Sequence, residues 1–108
     1  MFKKTERLDR TLFSHFFKIG RRFSTKYLTL IRIPHPTLKV SVVVGKKVFK
    51  KAHQRNKLRR QIYHLVREIV EENNLNGGLI VIAKPISKEL TKREIFTTLK
   101  SEIKQIIK

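Results

Sequence analysis

The sequence predicts an α/β (α+β) two-layer sandwich with elements in the order α-β-β-α-β-α. Three observations lead there. Residues 58–70 carry an apolar comb at helical spacing, made of Leu58, Ile62, Leu65, Val66, Ile69 and Val70. Strand-like segments flank that comb: residues 38–44, with Val40, Val42 and Val44 on one face, and residues 79–83 (LIVIA), a continuous apolar run. A strand, a long helix and a strand in that order imply a β-α-β crossover with parallel pairing in a mixed sheet. The length of 108 residues suits one domain, residues 1–108, around a single core.

The elements follow in order. Residues 9–19 read as a short helix, with Asp9 as N-cap, Leu8 and Phe13 as a hydrophobic staple and Gly20 closing the end. Residues 23–33, rich in Tyr, Thr, Leu and Ile, read as a strand, and Pro34-His35-Pro36 as a turn. The second strand, residues 38–44, leads through a basic loop into the long helix, which residues 73–78 end. LIVIA is the strand buried on both faces, and Pro85 stops it. The last helix starts at Thr91, with Glu94 completing a capping box, Leu90 and Ile95 a staple, and Ile95, Leu99, Ile103 and Ile106 its apolar face.

Composition narrows the function. The chain carries 26 Lys and Arg against 8 Asp and Glu, a net charge of +18, and its apolar fraction of 40% is enough to fold. A surface so basic repels itself unless it meets a polyanion, nucleic acid before an acidic membrane. No stretch approaches the ~20 apolar residues of a membrane span, and charges interrupt any signal-peptide core in MFKKTERLDRTLF. Without cysteine there is no disulfide framework and no thiolate metal site. A cytoplasmic protein is the simplest expectation. Only Glu68, Glu71 and Glu72 cluster among the acids, as one solvated helix end, so no carboxylate set for a metal-dependent nuclease is apparent. A metal-free acid/base pair, His53 with His64, is the remaining catalytic candidate.

The densest charge lies in KKVFKKAHQRNKLRR, residues 46–60, with eight Lys or Arg in fifteen positions and no acid until after Arg67. Projected at 100° per residue, Leu58, Ile62, Leu65 and Ile69 share one side of the helix. Asn56, Arg60, Tyr63 and Arg67 form a stripe on the other, with Arg59 on its flank. Arginine forks and lysine point charges suit phosphate, and the Asn56 amide suits a phosphate, a 2′-hydroxyl or a base edge. Lys46, Lys47, Lys50 and Lys51 extend the field ahead of the helix, whose N-terminus itself favours an anion. A solvated face ordinarily mixes signs, and this one does not.

The run V-G-K-K-V-F-K-K-A-H-Q-R-N-K-L-R-R, residues 44–60, resembles the signature of the protein subunit of bacterial ribonuclease P, an R-N-R/K-x-K/R-R core opening a helix after a K-K pair. Arg55, Asn56, Lys57, Arg59 and Arg60 fit the core, and Lys46 and Lys47 the pair. F-S-H-F-F-K-I-G, residues 13–20, looks like the family's aromatic-bearing first helix, and the C-terminal order of strand, K-P and T-x-x-E helix agrees. Tyr63 stands where the family often has a further Arg, with Arg67 one turn later, and Phe49 where a small residue is common. The resemblance implies a ribosomal protein S5 domain 2-like fold with a left-handed crossover, where sequence physics alone predicts a right-handed one. It implies a chain without catalytic or metal-binding residues of its own. The partner RNA subunit would hold Mg2+ and remove the 5′ leader from precursor tRNA, and the protein would bind that RNA and the leader, with no membrane or small-molecule substrate. RNA contact would fall to Lys46, Lys47, Lys50, Lys51, Arg55, Asn56, Lys57, Arg59, Arg60 and Arg67. Phe13 and Phe17 would stack leader bases, which suits many leader sequences, while Leu12 and Phe16 face the core. A structural ribosomal-RNA-binding protein and a stand-alone ribonuclease are the alternative readings.

Overall fold

The computed structural model describes residues 7–107, so the N-terminal stretch weighed against a signal peptide lies partly outside the described residues. Helix α1 (Arg10–Ile19) begins where expected: the Leu12 N–H donates to Asp9 Oδ1 at 2.8 Å, and the Gly20 N–H closes the far end on the Phe16 carbonyl. The segment expected as one strand is a hairpin, β1 (Arg21–Ser24) and β2 (Leu28–Ile33), paired antiparallel. The predicted order otherwise holds, through β3 (Lys39–Val43), α2 (Ala52–Asn73) and β4 (Gly78–Ala83). A 3-10 turn over Pro85–Glu89 then leads to α3 (Lys92–Glu94), which runs through a π-helical stretch, Ile95–Leu99, into α4 (Lys100–Ile107).

The sheet has the order β1-β2-β4-β3. Strand β4 pairs antiparallel with β2 and parallel with β3, so β3-α2-β4 is the expected crossover within a mixed sheet. Alternation along the strands divides the core. On one face Leu28, Leu30, Val40, Val42, Leu79 and Val81 pack against α2 and the C-terminal helix. On the other, Ile31 and Ile80 pack against Phe16 of α1. Each buried side chain of this kind contributes on the order of 1.5–3 kcal/mol. Helix α1 comes down onto the sheet at Gly78, where a Cβ would overlap the Phe16 ring. Gly77, with φ of 104°, makes the turn into β4 in a conformation that favours glycine.

Two local departures have clear causes. The buried stripe of the last helix is Ile95, Leu99, Ile103 and Ile107, while Ile106 is only half-buried. The widened π turn lets a strict spacing of four stay on one face, where a regular α-helix would rotate it away. Tyr63, projected onto the polar stripe of α2, is 7% exposed and sits in the core. Lys39 bonds toward β4 through Gly77, so by alternation Val40 and Val42 turn their backbone groups to the outer edge of the sheet. The Tyr63 hydroxyl accepts from the Val42 N–H at 3.2 Å, and the Leu8 N–H donates to the Val40 carbonyl at 3.3 Å. A long phenol reaches an edge donor that no strand pairs, and this outweighs its place in a helical projection.

Candidate nucleic-acid interface

The basic segment is held up by a few anchored residues. After β3 the chain turns at residues 45–48, where the Val48 N–H donates to the Gly45 carbonyl at 3.1 Å. Val48 is buried and Phe49 half-buried against the main core, which leaves Lys46, Lys47, Lys50 and Lys51 exposed around the turn. Arg55 reaches back from α2, its Nη1 donating to the carbonyls of Phe49 (3.0 Å) and Lys50 (2.7 Å). It therefore fixes the loop to the first turn of the helix as well as adding charge.

Helix α2 starts without a side-chain cap and without an acid in its first turn. Its leading N–H groups and the positive end of its dipole sit among lysines, an arrangement that costs helix stability until an anion arrives. Asn56, Lys57, Arg59 and Arg60 are exposed, and Leu58 and Ile62 between them are buried, so the core seam aims the cations outward. Arg67, placed with this set by the sequence, is half-buried and pairs with Glu71 at 2.9 Å. The structure thus groups the motif residues from Lys46 to Arg60 and leaves Arg67 two turns beyond.

The acids have been taken up elsewhere. Lys100 Nζ lies 3.0 Å from Glu68 and 3.3 Å from Glu72, and Lys104 lies 3.3 Å from Glu72. Hydrogen bonds from Lys100 and Lys104 hold the Glu72 carboxyl below its ordinary value, and Glu68 and Glu72 raise the Lys100 ammonium. Among the described residues no group of three His, Asp or Glu is placed to hold a metal ion. His53 and His64 stand eleven residues apart on one helix, about 16 Å along its axis, too far to act as an acid/base pair. His64 instead lies 3.2 Å from Glu68.

On the opposite face of the sheet, α1 presents Phe13 and Phe17 with their rings stacked at 6.0 Å and 22°. Phe17 is 39% exposed, Phe13 is half-buried, and Phe16 faces inward as the sequence suggested. Sequence reasoning missed Arg22: its guanidinium lies 4.3 Å from the Phe17 ring centroid, and its Nη2 donates to the Phe17 carbonyl at 3.2 Å. Beyond α1 the same face carries the half-buried Thr29, Ser41, Val43 and Ile82. The alternation already seen at Val40 and Val42 would have placed Ser41 and Val43 there. Strand β3 ends at Val43, on this face, three residues before Lys46. Among the described residues no helix is long and apolar enough to cross a membrane.

A family model described as Ribonuclease P matches residues 2–107. The Ribonuclease P protein component of Rickettsia felis is 30% identical over 102 residues, covering 83% of this chain and 83% of that one. The solved RNase P protein from Thermotoga maritima superposes with a TM-score of 0.73 at 28% identity, covering 94% of each chain. A Staphylococcus aureus RNase P protein mutant shares the fold, with a TM-score of 0.78 at 24% identity over 95% of this chain and 89% of that one.

Proposed function

The chain belongs to the ribonuclease P protein family, and from that premise we propose that it is the accessory protein of a cytoplasmic ribonucleoprotein that removes the 5′ leader from precursor tRNA. Its partner is the RNA subunit, which supplies the catalytic site together with Mg2+. The protein supplies grip. The observation that carries this reading is the acid-free cationic surface of residues 46–60, built on an uncapped helix start. Lys46, Lys47, Lys50, Lys51, Arg55, Asn56, Lys57, Arg59 and Arg60 engage RNA phosphates there, with Arg67 at the margin. Each neutralised phosphate releases counterions and adds salt-sensitive affinity. Phe13 and Phe17 offer leader bases a stacking platform, and Arg22 adds a cation beside it.

The deciding experiment compares precursor tRNA incubated with protein alone, RNA subunit alone and both. Protein alone gives no cleavage with any divalent metal, and adding it to the RNA subunit raises activity at low Mg2+. Cleavage by RNA-free protein would revive the stand-alone ribonuclease. Binding to ribosomal RNA with no effect on the RNA subunit would favour the structural ribosomal reading.

Leader recognition has its own test. Phe17→Ala removes a stacking surface but no charge, and the ring is too exposed to be a core element. Holoenzyme affinity for leader-bearing precursor falls about tenfold, the loss of one stack of ~1–2 kcal/mol, while affinity for mature tRNA holds. Phe13, more enclosed, loses some stability as well when replaced by Ala. Equal losses for both tRNAs with Phe17→Ala would remove this ring from the leader site.

A further inference from the structure

We propose that a cavity of about 630 Å³ at the far end of the sheet is a second RNA contact, taking one phosphodiester on Arg21 and Arg32 and the attached sugar and base against Phe23, Pro34 and Ile106. It lies where β2 ends and β4 begins, between the 34–37 turn and the C-terminal helix. The cationic start of α2 follows the other end of β3. The two places are therefore separated by the length of the parallel strands, about 15–20 Å.

Among the described residues the charges in this cavity have no partner of opposite sign. Arg21 and Arg32 are direct cross-strand partners in the β1–β2 pair, where like charges oppose folding. No carboxylate lines the cavity, and neither arginine makes an ion pair among the described residues. Arg32 is positioned by donating through Nη1 to the Ile107 carbonyl at 3.3 Å, which leaves the rest of its fork available. The Arg21 guanidinium stands over the Phe23 ring, 5.6 Å from its centroid. Asn76, exposed on the facing loop, adds an amide that can bond a phosphate or a ribose hydroxyl. Two planar forks at one mouth are the geometry of bidentate phosphate capture. The half-buried Phe23 and the proline and isoleucine beside it form an apolar wall of the size a nucleotide needs.

The test is an NMR titration of the isotope-labelled full chain with a short single-stranded oligouridylate, beside one with inorganic phosphate. The amides of Phe23, Ile33, Asn76 and Gly77 shift and saturate with the oligonucleotide, and Arg21→Ser weakens that response about tenfold while shifts at residues 55–60 persist. Asn76→Ala, which removes no charge and no hydrogen bond of the fold, weakens it less but in the same place. Lys26→Ser, at the other end of the hairpin, leaves it unchanged. Shifts confined to residues 46–60 and α1, or an equal response to Lys26→Ser, would overturn the proposal. An equal affinity for inorganic phosphate would assign the cavity to free anions and overturn the RNA contact. The readout needs no RNA subunit and no cleavage, so failure of the tRNA-processing reading leaves it intact.

Discussion

The two halves of α2 use charge in opposite ways. From Ala52 to Arg60 there is no acid and no side-chain cap, and no ion pair among the described residues; Lys57, Arg59 and Arg60 face water, while Arg55 is bonded to the loop. From Arg67 to Asn73 every acid meets a cation of the same chain, Glu71 with Arg67, Glu68 with Lys100, and Glu72 with Lys100 and Lys104. One half ties the helix to α4; the other is left unneutralised and costs helix stability through its dipole. This sorting leaves the eight Lys and Arg of residues 46–60 without an acid among them, at the end where a polyanion can meet them. The lesson is that charge counts alone mislead: within one helix, ion pairs tie down one end, and at the other their absence leaves cations open.

The largest expected effect comes from breaking the open half. Arg59→Glu with Arg60→Glu lowers affinity for the RNA subunit roughly 100-fold, about tenfold for each charge-assisted contact. It also flattens the log–log salt dependence by about 0.7–0.9 for each phosphate lost. Melting changes little, since both side chains are exposed and make no ion pair among the described residues. An equal loss from the same change at Lys104 would mean that net charge alone governs binding.

The smallest effect comes from the closed half. Lys100→Met removes the tie to Glu68 and Glu72, lowers Tm by a few degrees at most, and leaves RNA affinity alone. Its pH dependence sharpens the contrast. Glu72, held below its ordinary 4.5, contributes stability that is full above 4.5 and lost as pH falls through the folded value. Lys100, held above 10.5, contributes stability that is full below 10.5 and lost as pH rises through its folded value. The tie is complete from about pH 5 to 10. The Tm difference between Lys100→Met and the parent should therefore shrink as pH falls from 4.5 through the folded value of Glu72, and a difference that does not shrink would trace to packing of the lysine stem.

Much of this was legible in the sequence. The helix starts at Asp9 and Thr91 were readable because caps are local: the Thr91 hydroxyl accepts from the Glu94 N–H, and the Glu94 carboxylate accepts from the Thr91 N–H. The crossover was readable from periodicity. The hairpin was not, because Ser24-Thr25-Lys26-Tyr27 contains no Gly, Pro or Asn. Its turn is held from afar, by Glu102 of α4 accepting from the Thr25 hydroxyl and the Tyr27 N–H. In the candidate site, the exposure of residues 46–60 followed from the apolar comb. The loop-fastening bonds of Arg55, the pairing of Arg67 and the approach of Arg22 to Phe17 depend on tertiary neighbours that no spacing encodes.

The hydroxyl of Tyr63 has a consequence outside the chain itself. It occupies a backbone donor on the outer strand, next to the carbonyl that Leu8 occupies. A strand edge with both groups open is a template on which another polypeptide can add itself. Tyr63→Phe would leave the ring in the core and change no surface charge, yet it would return one rung of that template to solvent. What a single oxygen covers at this position is one donor on the outer edge of the sheet, at Val42, where a further strand would otherwise find a rung to pair with.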